Sequence, residues 1–184
     1  MIQPWPLLQS RQIGDFRIFQ LRQDDKVSPR TGETHGFYVL DSSDWVNVIA
    51  LTPRRELIMV EQFRHGTNSV ELEIPGGIVD DDDASPVATA VRELREETGY
   101  EGSGARVLAD FSPNPAILSN TCHLICVEQC EKRHELKLDS GEDMITHLVP
   151  VGEVPSLVAA GRIRHAVVLA GLHFLDLWVR GITS

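Results

Sequence analysis

The stretch RELREETGY, Arg92 to Tyr100, sets three carboxylates, Glu93, Glu96 and Glu97, in the last two turns of a helix. That helix is bounded by its own chemistry. Ser85 is a natural N-cap, Pro86 falls at the first helical position where its missing N–H costs nothing, and Gly99 supplies a left-handed C-terminal cap. Acids at that end meet the negative pole of the helix dipole, each at a cost of roughly 0.3–1 kcal/mol. Some other interaction must compensate them.

At about 100° per residue, Val87, Val91, Leu94 and Thr98 share one face, Glu97 lies about 80° from Val87 on the side of Ala90, and Glu93 about 40° further round. Glu93 and Glu97 therefore border the apolar stripe, while Glu96 falls on the far side. Three and four residues apart, the three tips can converge. The residues alone leave two readings open. One is a solvated acidic face laced with pairs such as Arg92–Glu96. The other is a site for a hard cation such as Mg²⁺ or Mn²⁺, because half-buried carboxylates that converge repel one another until a cation joins them.

Outward from the helix, WVNVIALT and ELIMVEQF are β-rich runs joined at Pro53-Arg54-Arg55, a pattern that predicts a hairpin. VELEIP predicts a further strand ending at Gly76-Gly77, where backbone can approach a ligand closely. Downstream, ARVLADF, TCHLICVEQ and MITHLVPV predict strands, and Val154–Ala160 and Arg164–Arg180 predict helices. In the last of these Val168, Leu172, Leu175 and Val179 keep helical spacing, as a core-facing stripe would. The mixture predicts an α/β/α layered domain over residues 46–184. Residues 1–45 (FRIFQLR, a polar loop around SPRTGETHG, then FYVLD) predict a small N-terminal β extension.

With 184 residues, 42% of them hydrophobic, the chain has material for one core, and its formal charge of −10 argues against nucleic acid or an anionic membrane as partner. A small anionic substrate is compatible with that charge if a cation mediates the contact. MIQPWPLLQS has no basic start before an apolar run and does not read as a signal peptide. Three cysteines, Cys122, Cys126 and Cys130, have neither zinc nor C-x-x-C spacing; Cys122 and Cys126, in the apolar run TCHLICV, read as buried free thiols, and the odd count is consistent with a cytoplasmic protein.

The segment GGIVDDDDASPVATAVRELREETGY, Gly76 to Tyr100, resembles the Nudix box of Nudix hydrolases. Its back half matches the pattern at every fixed position. In the front half the loop is one residue longer and lacks the Glu that braces the box arginine in the family; Asp83 is the natural stand-in, with Ala84 beside it. The flanks WVNVIALTPRRELIMVEQFRHG, VELEIPGG and SPNPAILSNTCHLICVE resemble the ADP-ribose pyrophosphatase and nucleoside-diphosphate-sugar hydrolase branch. Pro115, sixteen residues past Gly99, fits that branch as a substrate-side residue.

The resemblance implies a Nudix-type α/β/α sandwich and Mg²⁺-dependent hydrolysis of a nucleoside-diphosphate sugar, with Mn²⁺ as the other metal. It implies Glu93 and Glu97 as metal ligands, Glu96 sharing metals or bridging through water, and the Gly76 carbonyl as a further ligand. Arg92 would orient the carboxylates. Glu142, in SGED, is the candidate late ligand or general base, with Asp139 and Asp143 as alternatives. Arg64 is the candidate phosphate contact, its planar fork suiting that geometry. Glu73 faces away from Leu72 and Ile74, toward the site or toward solvent. His65, His123 and His165 read as structural or peripheral, and Trp5 or Trp45 could stack on a base. The branch also implies a homodimer formed through the N-terminal strands, whose edges would otherwise lie open. Two alternatives stand beside this reading. One is a Nudix hydrolase acting on coenzyme A or a dinucleoside polyphosphate. The other is a non-catalytic ADP-ribose sensor, against which the retention of Glu93, Glu96 and Glu97 argues.

Overall fold

The computed structural model describes residues 1–182, in two compact units: Met1–Ser43 with Ser112–Thr121, and Asp44–Phe111 with the chain from Cys122 onward. In the first unit β1 (Leu7–Asp15), β2 (Gln20–Val27) and β3 (Thr34–Asp41) form an antiparallel sheet in that order. The run FRIFQLR, expected as a strand, instead makes the β1–β2 turn in its first half. Arg17 sits at φ 70°, its N–H bonds Asp15 Oδ1 at 3.1 Å, and Phe16 stacks on Phe19. Segment 112–121 returns along β3, with the Leu40 N–H bonded to Ile117 O and the Ser119 N–H to Leu40 O. Trp5, Leu7, Leu8, Phe16, Ile18, Phe37 and Tyr38 of this unit are exposed.

The second unit holds two sheets. One runs β10 (Met144–Pro150), β5 (Glu56–Arg64), β6 (Ser69–Glu73); the other runs β7 (Gly76–Ile78), β4 (Trp45–Ala50), β9 (Cys122–Lys132), β8 (Tyr100–Phe111). The expected β4–β5 hairpin is therefore wrong. The chain does turn at 53–55, where the Leu51–Leu57 bridge and the Thr52–Glu56 hydrogen bonds join the ends of the two runs, but each run joins a different sheet. The reason lies in their composition. Both are apolar on successive residues, so each needs cover on both faces, as in a central strand.

The cover is supplied by α1 (Pro86–Thr98) and α3 (Ala166–Val179), with a short α2 (Val154–Ala159) between β10 and α3. Val46, Val48, Ala50, Ile58, Ile125 and Val127 pack with Ala90 and Leu94 of α1. Their neighbours Ile49, Leu57, Met59, Leu124 and Cys126 pack with Val168, Leu172 and Leu175 of α3. Strand alternation thus divides one set of β-residues between two helical layers, giving the α/β/α sandwich. Val179, expected in that stripe, is exposed, as is Val91 of α1. In α1 the buried face centres on Ala90, Leu94 and Glu97 instead. The three cysteines are free and buried. Among the described residues no helix is long and apolar enough to cross a membrane.

Candidate active site

The caps expected for α1 are in place. Ser85 Oγ accepts from the Ala88 N–H at 3.2 Å, and Gly99 takes φ 75°. From this helix Arg92 reaches four carboxylates. Nε and Nη2 fork onto Asp83 at 3.3 and 2.8 Å, Nη1 bonds Glu93 Oε1 at 2.9 Å and Glu96 Oε2 at 3.2 Å, and Nη2 stands 3.4 Å from Asp80. Asp83 thus occupies the bracing place that the longer acidic loop left open. The loop curls to bring it there, the Asp83 N–H bonding Asp80 O, and Thr89 Oγ1 donates to Asp83 Oδ2 at 2.9 Å, the oxygen that also accepts from Arg92 Nη2. Arg92 holds the Asp83 carboxyl down at about 2.

Glu97 is 2% exposed, and its Oε2 accepts from the Gly76 N–H at 3.1 Å. Burial, followed by repulsion from Glu93, pushes its carboxyl up to about 8. Burial also raises Glu93, against the pull of Arg92. Gly77 leaves the room Glu93 occupies, since a Cβ there would stand 2.3 Å from Glu93 Oε1. Glu93, Glu96, Glu97, Asp139 and Glu142 line a pocket of about 330 Å³, with Arg64, Arg92 and Lys137 as its cations. Glu142 Oε2 accepts from the Asp139 N–H at 3.0 Å; Asp143 is exposed and outside this lining.

Among the described residues no three His, Cys, Asp or Glu side chains already stand in a metal-holding array. The hydrogen bonds explain this: Glu93 and Glu96 are turned onto Arg92, Glu97 onto Gly76, and Glu142 onto Asp139. The residues nonetheless fit a hard divalent cation. The donors are all oxygen, and Glu97, buried beside Glu93 with its carboxyl lifted to about 8, resists ionising until a cation joins it.

A second cleft, of about 770 Å³, shares Arg64 and Gly76–Ile78 with the acid pocket. Arg64 does not project freely there. Its Nε and Nη2 pair with the two oxygens of Glu73 at 3.0 and 2.8 Å, and His165 Nδ1 lies 3.0 Å from Glu73 Oε2 without hydrogen-bond alignment. Burial alone would raise the Glu73 carboxyl, but His165 and Arg64 outweigh it and hold it near 2. One turn of pleat away, Arg164 forks onto Glu71, which is also buried. Trp45 and Asn47 line the cleft as well.

Glu93, Glu96, Glu97, Arg92, Gly76, Arg64, Glu73 and Glu142 therefore gather in one region of the second unit. Pro115 and Trp5 belong to the first unit, where Pro115 is an exposed turn residue and Trp5 is exposed as well. His65 packs edge-on against Phe63, and His123 lies between Asp110 and Asp44. His165, read as peripheral, lines the large cleft.

The NUDIX domain model matches residues 43–172, most of the chain. The chain belongs to the Nudix family. It is 29% identical to the methanol dehydrogenase activator of Bacillus methanolicus, covering 92% of this chain and 91% of that protein. It is 29% identical to the ADP-ribose pyrophosphatase of Mycobacterium tuberculosis (90% and 80% covered) and 32% identical to the ADP-sugar pyrophosphatase of Mus musculus (78% and 70% covered). The fold matches a crystal structure of an ADP compounds hydrolase with a TM-score of 0.87 at 20% identity, over 98% of this chain and 97% of that one.

This Nudix hydrolase thus carries its box acids on α1, and the family generally uses a divalent metal ion. Arg164, His165 and Glu71 lie outside the box, at the large cleft. Glu71 and Glu73 alternate with Val70 and Leu72, which marks them as sharing a strand face. No local pattern says which basic residues meet them.

Proposed function

We propose that this Nudix hydrolase cleaves the diphosphate of ADP-ribose or a related nucleoside-diphosphate sugar, giving a nucleoside monophosphate and a sugar phosphate, with Mg²⁺ (or Mn²⁺) as its ion. One observation carries the reading: the acid pocket and the large cleft meet at Arg64 and Gly76–Ile78. A diphosphate at that junction has one end among carboxylates and the other in a cleft with room for a nucleoside. The relatives named as ADP-ribose and ADP-sugar pyrophosphatases support the same substrate class.

Glu93, Glu97, Glu96 and the Gly76 carbonyl would hold the ions, with Glu142 as a late ligand or base. Bound there, divalent ions neutralise the diphosphate and make attack by water feasible at neutral pH. Arg92 orients Glu93 and Glu96. Arg64, fixed by Glu73, presents its remaining nitrogen, Nη1, to a phosphate oxygen. Glu142 lies on the pocket wall, where it can take the proton of the water that attacks phosphorus as the bridging P–O bond breaks. Pro115 would act as a substrate-side residue, as the family resemblance implies.

We also propose a cytoplasmic homodimer, supported by the exposed apolar side chains of the β1–β3 sheet. Light scattering that finds only monomer would overturn the dimer.

The test of activity is product release from ADP-ribose, GDP-mannose, UDP-glucose, coenzyme A and a diadenosine polyphosphate, with Mg²⁺ and then with EDTA. AMP and ribose 5-phosphate appearing only with Mg²⁺ support the reading. Preferred cleavage of coenzyme A or the diadenosine compound, or saturable ADP-ribose binding without cleavage, overturns it.

A further inference from the structure

The segment between β9 and β10 is fastened to the end of α1. The last carbonyls of a helix lack intrahelical partners, and here this segment supplies them. The Arg133 and His134 N–H groups both donate to Gly99 O, at 2.9 and 3.0 Å, and the Lys137 N–H donates to Glu96 O at 2.8 Å. The approach is close, since a Cβ on Gly99 would stand 2.2 Å from His134 O. Lys137 is the residue at which the segment leaves the helix for the acid pocket. Its ammonium lies 3.5 Å from Glu96 Oε1, opposite Arg92 on Oε2. Five residues later comes Glu142.

We propose that Lys137 is a positioning residue. It holds the segment that carries Glu142 against α1 through Glu96, and its ammonium occupies Glu96 as a counter-cation until a divalent ion binds. The proposal rests on the catalytic reading of Glu142 and Glu96 given above. An isolated exposed ion pair counts for little. This one differs because the same residue bonds the same partner twice, once by backbone and once by side chain. Removing the ammonium then has two opposed effects. The segment that carries Glu142 keeps its backbone bond to Glu96 O but loses the side-chain tie, so turnover falls. Glu96 loses a competing cation, so metal binding tightens. A residue with a merely structural role would move both in the same direction.

The test compares K137M, which keeps the apolar stem, with K137R, which keeps the charge, in the full chain. Three experiments are run: calorimetry for Mn²⁺ affinity, steady-state kinetics for kcat and KM with ADP-ribose, and metal-free amide exchange over residues 137–142. For K137M the expected result is about twofold to fivefold tighter Mn²⁺ binding, a kcat lower by about the same factor with KM unchanged, and faster exchange, the range following from the strength of one exposed pair. K137R should stay near the parent on all three. Unchanged exchange, an unchanged kcat, or weaker Mn²⁺ binding in K137M overturns the proposal. If the parent chain cleaves no diphosphate, the proposed function fails by itself, and the Mn²⁺ and exchange measurements still judge the tether.

Discussion

The Gly76 N–H and Glu97 Oε2 lie 3.1 Å apart, joining the short strand β7 to the last turn of α1. This backbone donor is set against a carboxylate that is otherwise buried among like charges, with Glu93 and Glu142 both raising it. A single neutral donor compensates only part of the cost of burying that charge. The geometry thus stores a demand for a cation in the fold itself.

The variant Glu97→Gln separates catalysis from stability. Turnover should fall by at least ~100-fold, the upper range for disturbing a mere supporting partner of a metal ligand. The metal-free protein should melt higher than the parent at pH 8, because a neutral amide takes the place of a buried charge. Thermal melts in EDTA alongside steady-state rates check both; near-normal activity would remove the metal-site assignment.

Metal affinity should depend on pH through Glu97. Burial and then Glu93 push its carboxyl from the ordinary 4.5 up to about 8, so between those values the folded metal-free chain keeps a proton that the unfolded chain releases. Metal-free stability should therefore decline as pH rises through that window. Metal competes with the same proton, so binding should tighten as pH rises toward 8 and level off above it. Calorimetry in two buffers of different ionisation enthalpy should show proton release at pH 6 that vanishes by pH 9.

The Glu73 carboxylate works in the opposite sense. Held at about 2 by His165 and Arg64, it contributes stability that is complete above 4.5 and is lost as pH falls toward 2. Glu73→Gln should cost about 2–3 kcal/mol at pH 7, less than a fully buried pair because Arg64 is partly open to solvent. The same variant should flatten the acid limb of a urea-denaturation series. It should also raise KM for ADP-ribose, since Arg64 loses its brace.

Asp83 tests whether the altered loop restores the family's bracing contact. Asp83→Ala should weaken metal binding by about 10–100-fold through a loosened Arg92, as loss of an outer partner does. Asp83→Asn, which keeps the shape but only one acceptor, should fall between. Mn²⁺ titration reads the series, and equal affinity in all three proteins would deny Asp83 this role.

Gly77→Ala should harm activity far more than folding. The added Cβ meets the flexible end of Glu93, which can swing away, whereas at Gly76 a Cβ would meet the Val46 carbonyl oxygen 2.3 Å away. Gly77→Ala should therefore keep a near-parent melting temperature and lose turnover, while Gly76→Ala should lose both.

Local chemistry made α1 legible from residues alone: a serine cap, a first-turn proline, a terminal glycine and acids three and four apart all act within one helix. The same locality made the box recognisable and the burial of Cys122 and Cys126 predictable. Sheet membership was less legible. WVNVIALT and ELIMVEQF look like a hairpin because a turn joins them, yet continuous apolar runs need cover on both faces, and only the whole core decides where that cover comes from.

What the sequence by itself determined was the acidic helix, its caps, and the hydrolase family they mark. What only the tertiary structure decided was the company those residues keep: Asp83 under Arg92, Glu73 between Arg64 and His165, and Lys137 beside Glu96. The physical reason is range. Caps and i,i+4 pairs depend on neighbours in the chain, whereas these ion pairs depend on which strand or loop the packed core brings into hydrogen-bond reach.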